Sequence, residues 1–336
     1  MAKFSRRLRP EAILALEELS KSPHDNWWKE LLRLWAPAGS PAGLRLAIRS
    51  NYIDFYRMGN RVAHVSFGQC KKGEAAPVFV KTHAKYVHGE DGGDKEVAAR
   101  NTSDGWSWAG EARPISFAQI VDNIDDRMAA LRNGAYPRKG LEKQGVDDIL
   151  ANNPAVIDLE MALPRDPTIA KPADGAPRMD LVTLERHGAE IRVVFWEAKT
   201  FDDPRLRFED VEEVEDGRKK KNVLRQLEIY SNYVLDKDRG QEIVVAYRNT
   251  CVLLKRFASM RGSEPLHPVV EAAASEEANL VVDSKPRLVI FSSEGGKDVE
   301  SDPSWTRHRD RIKNAGYAMI AKNRAAEISL PLWGPG

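Results

Sequence analysis

Cysteine is scarce in this chain of 336 residues: Cys70 and Cys251 stand far apart and outside any metal-ligand spacing. A disulfide framework and a cysteine-based zinc site are excluded, and the two read as ordinary thiols in a reducing compartment. Net charge is nearly absent as well, since 51 Lys and Arg against 50 Asp and Glu leave +1. Bulk charge therefore does not drive the chain onto nucleic acid, and a basic surface has to be local. Long apolar runs are missing. The basic N-terminus MAKFSRRLRPEAILALEEL is interrupted by Glu and Lys, so neither a signal peptide nor a membrane span is expected, and the chain reads as cytoplasmic. No Walker loop, dinucleotide fingerprint or nucleophile elbow occurs. His83 and His88 lack acidic or thiol neighbours for a zinc site, and GEDGGDKE lacks the spacing of a calcium loop.

What is present is 42% hydrophobic sequence, enough for a substantial core in two domains or one elaborated domain. Helices are expected over PEAILALEELSKS and DNWWKELLRLW, the second capped by Asp25, with Trp27, Trp28, Leu31, Leu32 and Trp35 as a core stripe. A Pro/Gly-rich joint, APAGSPAG, leads into a β-meander turning at MGN, and residues 86 to 105 read as a loop. A helix follows over SFAQIVDNIDDRMAALRNG, with Ser116 as its cap and Gly134 as its stop. A boundary near residue 135 would divide a smaller α+β accessory domain, 1–135, from a second domain, 136–336. The order of elements in the second is αβββαβ: helix KGLEKQGVDDILANN; strands AVIDLEMAL, RMDLVTLER and EIRVVFWEAK; helix RKKKNVLRQLEIYSNYVLD; strand QEIVVAYRN. A further strand, PRLVIFSS, and a helix, DPSWTRHRDRIKNAG, complete it.

The stretch RMDLVTLERHGAEIRVVFWEAKT sets Glu197 and Lys199 at the end of an apolar strand, where charge is costly unless it is compensated or reaches solvent. A hairpin turning between Gly188 and Ala189 places Asp180 directly opposite Glu197, and strand periodicity puts Lys199 on the face of Glu197. Two carboxylates this close repel unless a cation sits between them, and Mg²⁺ with hard oxygen ligands resolves the conflict, with Mn²⁺ able to substitute. Metal-bound water and a neighbouring ammonium suit the cleavage of a phosphodiester.

Met179-Asp180 followed by Glu197-Ala198-Lys199 resembles the split Asp…Glu-x-Lys motif of the PD-(D/E)XK nuclease superfamily, with Met179 where the motif name has proline. RQLEIY supplies Gln226 and Tyr230 at helical spacing, similar to the Gln-x-x-x-Tyr motif of its RecB-type members. The resemblance covers roughly residues 138 to 250. It implies a restriction-endonuclease-like αβββαβ core with a mixed sheet, Mg²⁺ on Asp180, Glu197 and the carbonyl of Ala198, a water-positioning role for Lys199, and a bracing role for Gln226 and Tyr230. The family often adds an acid from the first helix, where Glu142 fits; Glu160 on the first strand and Asp147 are rivals. Arg218, Lys219, Lys220 and Lys221 either contact phosphate or neutralise the acidic run EDVEEVEDG. Arg178, Arg205 and Arg207 are further phosphate candidates.

The expectation is a Mg²⁺-dependent deoxyribonuclease, with bacterial defence against foreign DNA as a setting implied only by the family. Its N-terminal region would engage DNA, a partner protein or a second copy. The competing reading is a non-catalytic nucleic-acid-binding or protein-interaction module on the same fold.

Overall fold

The computed structural model describes residues 3–88, 95–102, 105–109, 115–132, 141–164, 178–208, 212–215, 218–262, 265–292, 299 and 301–332. For residues 101, 131, 132, 212–215 and 218–221 the backbone alone is described. Two helices open the chain, α1 (Pro10–Lys21) and α2 (Trp27–Leu34). Pro10 suits the first turn of α1, where no amide hydrogen is needed. Asn26 rather than Asp25 caps α2: its side chain accepts the Lys29 N–H at 3.0 Å, while Asp25 pairs with Arg33 at the surface. All five residues of the Trp27–Trp35 stripe are buried.

A six-stranded antiparallel meander follows: β1 (Arg45–Ile48), β2 (Tyr52–Arg57), β3 (Asn60–Phe67), β4 (Val78–His83), β5 (Glu96–Thr102) and β6 (Gly105–Trp108), paired in chain order. Between β2 and β3, Met58 and Gly59 take φ of +46° and +69°, the pair of left-handed residues that a type I′ hairpin turn requires. The loop expected over 86–105 is only partly a loop. A short helix, α3 (Ala84–His88), and β5 occupy much of it, because EVAARNT finds its partner in β4. α4 (Phe117–Arg132) starts at a capping box, with Ser116 Oγ accepting the Gln119 N–H at 3.1 Å and Gln119 Oε1 accepting the Ser116 N–H at 2.9 Å. Gly134 lies outside the described residues.

The second sheet begins after α5 (Leu141–Asn152) with three antiparallel strands: β7 (Val156–Ala162), β8 (Arg178–His187) and β9 (Glu190–Thr200). β10 (Glu212–Glu215) and β11 (Arg218–Lys221) then form a separate antiparallel hairpin. This corrects the helix expected from residue 218 onward, and places Arg218, Lys219, Lys220 and Lys221 on a strand paired with an acidic one. Four consecutive cations are unfavourable against the positive end of a helix dipole, and α6 (Val223–Leu235) starts only after them, capped by Asn222.

The strand expected over QEIVVAYRN is a helix. α7 (Lys237–Arg261) runs unbroken for 25 residues, from a cap at Asp236 to left-handed Gly262. Its buried positions Ile243, Ala246, Tyr247, Thr250, Cys251, Leu254, Phe257 and Ala258 recur at spacings of three and four, so the helical period over the full length outweighs the local β-branched run. The strands that follow come later: α8 (Pro268–Ala273), then β12 (Asn279–Val282) and β13 (Arg287–Phe291), both parallel to β9. β12 lies along the first part of β9 and β13 along its end. α9 (Thr306–Asn314) and edge strand β14 (Met319–Lys322) close the sheet order β14-β13-β9-β8-β7. Among the described residues the protein is thus a mixed α and β structure, with a six-stranded antiparallel sheet, a mixed sheet and the separate β10–β11 hairpin.

The expected boundary falls in the chain between α4 and α5, but the core runs through both sides of it, from Phe4 to Ile312. Trp28 packs edge-on against Phe55 of β2 and against Phe257 of α7, with ring centroids 6.2 and 5.5 Å away. Buried ion pairs also cross it: Arg6 and Arg49 meet Asp158, and Arg45 and Arg57 meet Asp147. Asp147, a rival for the metal, is engaged at 2.9 and 2.8 Å by two buried arginines, which accounts for its burial as a packing ion.

Candidate active site

The Gly188–Ala189 turn determines everything at the other end of the β8–β9 hairpin. Gly188 takes φ of +57° at the first turn position, and His187 pairs with Glu190. From there the register runs unshifted to Leu181 opposite Trp196, which brings Asp180 across from Glu197 as the sequence implies. The strand end does not open into solvent. Lys199 is 1% exposed and Glu197 3%, on the stretch of β9 that pairs with its parallel neighbour β13, while Asp180 is partly exposed. Of the three, Asp180 is the least buried.

Lys199 Nζ donates to Glu197 Oε1 at 2.5 Å and to the Ala198 carbonyl at 2.8 Å. The Ala198 N–H donates to Asp180 Oδ2 at 2.7 Å. Glu197 Oε2 is buried with no hydrogen-bond partner, a costly position for a carboxylate oxygen. Burial alone would lower the Lys199 ammonium, but Glu197, Asp180 and Glu142 outweigh it and hold the lysine charged. Burial pushes the Glu197 carboxyl up to about 8; Lys199 works against that shift and Asp180 adds to it. Asp180 is raised for the same first reason, against Lys199 and the Ala198 N–H, with Glu160 raising it further. Arg205 adds a second positive charge that lowers both carboxyls, yet both stay raised.

Glu142 and its rival Glu160 both lie beside this group. Glu142, on α5, sits 3.7 Å from Arg205 and is raised by burial, with Lys199 lowering it and Asp180 raising it. Glu160 occupies the β7 position between the Leu159–Leu181 and Met161–Met179 pairs, across from Asp180, and takes φ of +49°. A left-handed glutamate inside a strand is strained, and such strain gathers at working sites. Its carboxylate lies 3.7 Å from Lys143. Arg205 is held by Asp203, whose carboxylate accepts from its guanidinium and backbone. That clamp was not legible from TFDDPRL. Arg207 donates through Nη1 to the Phe201 carbonyl at 2.6 Å and covers the Phe201 ring.

On α6, Tyr230 is buried against Phe195 and donates to the Met161 carbonyl at 3.2 Å, with Glu197 and Asp180 close enough to raise its hydroxyl beyond what burial does. Gln226, one turn earlier, carries a buried Oε1 without a partner. Arg178 is exposed on β8, two residues before Asp180. The side chains of residues 218 to 221 lie outside the description.

Among the described residues, no three His, Cys, Asp or Glu side chains form a metal-holding group by themselves. The donor set nevertheless suits a hard cation, since two carboxylates and a carbonyl converge, one carboxylate oxygen is orphaned, and soft ligands are absent from the set. No helix among the described residues is long and apolar enough to cross a membrane. Compared with known proteins, the chain matches no family model, no curated protein and no solved structure.

Proposed function

We propose that the protein is a metal-dependent nuclease that hydrolyses DNA phosphodiester bonds, of the PD-(D/E)XK kind that the motif resembles. The observation carrying this reading is the buried Lys199, held charged beside Glu197 with a second carboxylate opposite and one carboxylate oxygen unsatisfied. A charged group buried this deeply costs stability, and perturbed carboxyl and ammonium groups packed together at a sheet end are the arrangement that chemistry requires.

Asp180, Glu197 and the Ala198 carbonyl would hold Mg²⁺, with Glu142 or Glu160 completing the set. When bound, the ion supplies Lewis-acid stabilisation of phosphoryl oxygen and a more acidic water. Lys199, fixed by Glu197 and the Ala198 carbonyl, presents its ammonium to the attacking water and to charge developing on the phosphate. Tyr230, anchored on Met161, wedges α6 against β9 and holds Gln226 at the site border.

The competing reading, a binding module without catalysis, has one observation in its favour. Asp180 already accepts the Ala198 N–H and Glu197 already accepts Lys199, so the ion pair is largely complete within the chain. Nicking of supercoiled plasmid by the purified protein in Mg²⁺ or Mn²⁺ and in EDTA separates the two. Metal-dependent conversion to open circles is expected of a nuclease, and intact plasmid in every metal refutes it.

A further inference from the structure

A cleft of about 590 Å³ opens beside the candidate site, between the N-terminal segment, the β2–β3 region and the β7–β8 end of the second sheet. Its lining includes six cationic side chains, Lys3, Arg6, Arg49, Arg61, Lys143 and Arg178, against two carboxylates, Asp54 and Glu160. Counting the acids that pair with them, Asp158 beneath Arg6 and Arg49 and Glu96 beside Arg61, six cations still stand against four carboxylates, a local excess in a chain with 51 basic and 50 acidic residues. The floor is built. Arg6 Nε and Arg49 Nη1 share the buried Asp158 at 3.0 and 2.6 Å, so two guanidiniums are fixed by one carboxylate. Arg6 is 5% exposed and its Nη2 has no hydrogen-bond partner, a buried donor that an anion would satisfy. The exposed rim is supplied by Lys3, Arg61, Lys143 and Arg178, of which Arg61 pairs with Glu96 at 2.6 Å and Lys143 lies 3.7 Å from Glu160. Half-buried Tyr52 and Tyr56 line the same wall.

The cleft joins the catalytic group through two residues. Glu160 lines it and faces Asp180, and Arg178 precedes Asp180 by two strand positions, about 7 Å along β8. We infer that this cleft is a phosphate track that holds one strand of nucleic acid and delivers it to Asp180, Glu197 and Lys199. The inference rests on the nuclease reading for its choice of ligand. A cleft this small admits a single backbone with its bases against the tyrosines, whereas a duplex would only lie across the rim.

The test is fluorescence anisotropy with labelled single-stranded DNA, using the full wild-type chain in EDTA, where metal-dependent cleavage is stopped. The comparison is the triple variant Arg61→Ala, Lys143→Ala and Arg178→Ala, all exposed positions, with its melting temperature checked against wild type. The variant should lose about two from the slope of log affinity against log salt, and about tenfold or more in affinity at 0.1 M salt. Unlabelled single strand should compete better than blunt duplex. Unchanged affinity and slope in the variant, no saturable binding by wild type, or a preference for duplex would each overturn the track. Binding that depends on the cleft in a protein that never nicks DNA would remove the nuclease reading alone; nicking with binding indifferent to these residues would remove the track alone.

Discussion

Replacing Lys199 by Met keeps most of the side chain's length and apolar volume and removes only its charge. In the native structure that charge sits 2.5 Å from Glu197 and close to Asp180, with both lysine and glutamate out of solvent. Breaking a buried pair by removing one partner costs about 3–5 kcal/mol when the remaining group must stay ionised. Here the remaining groups are acids already raised by burial, so they escape that cost by taking up protons whenever the pH allows. The sign follows. A carboxyl whose folded pKa lies above its unfolded value binds more protons in the native state, so stability falls as pH rises between the two, from the unfolded value near 4.5 to about 8 for Glu197. Lys199 itself is raised and stays charged throughout that window. Lys199→Met should therefore cost little at pH 5 and about 3–5 kcal/mol at pH 9. With a urea slope of about 3 kcal/mol per molar, that loss moves the unfolding midpoint by about 1 M or more at pH 9. A midpoint shift equal at both pH values, or below about 0.2 M at pH 9, would mean that the lysine does not compensate buried carboxylates.

Other expectations follow from the same structure. Mg²⁺ should raise the melting temperature of the wild type more at pH 8 than at pH 5, because carboxyls raised by burial would have to release protons to ligate it, and equal shifts would argue against carboxylate ligation. Asp158→Ala leaves Arg6 and Arg49 buried without their counter-charge and should cost about 3–5 kcal/mol by urea unfolding at pH 7. Arg49 and Arg6 hold the Asp158 carboxyl below its usual range despite burial, so this stability is complete above the unfolded pKa and is lost as pH falls through the folded one. Gly145→Ala on α5 would place a methyl 2.1 Å from the buried Phe291 ring; a net cost of about 1–3 kcal/mol is expected in spite of the better helix propensity, and unchanged stability would show that α5 can shift off the sheet.

The hairpin register was legible because a two-residue turn and an alternating pattern leave one pairing that buries the apolar face, and Asp180, Glu197 and Lys199 follow from it. The same local logic located the tryptophan stripe and the meander turn at Met58–Gly59. It failed at IVVAY in α7, where a short β-branched run looks like a strand until the spacing of Tyr247, Cys251, Leu254 and Phe257 farther along is included. It also failed at Arg218 to Lys221, where the competing partner is an acidic strand nearby in the chain. The buried arginines were out of reach for a different reason. Arg6, Arg49 and Asp158 are separated by 43 to 152 positions, and no periodicity links them before the fold does. Deciding between Glu142 and Asp147 likewise needed the arginines that occupy Asp147.

The most direct test of the central claim is to measure cleavage and binding in parallel for Lys199→Ala, with saturating Mg²⁺ present so that the acids left behind are compensated. The account predicts that plasmid nicking falls by at least about a hundredfold, since a charged donor poised at developing charge is removed, while affinity for single-stranded DNA stays within about threefold of wild type. Lys199→Arg should restore little, because a planar guanidinium does not fit a pocket shaped for an ammonium 2.5 Å from Glu197 and 2.8 Å from the Ala198 carbonyl. Metal-dependent nicking by folded Lys199→Ala at the wild-type rate would contradict the assignment of this buried ion pair to catalysis.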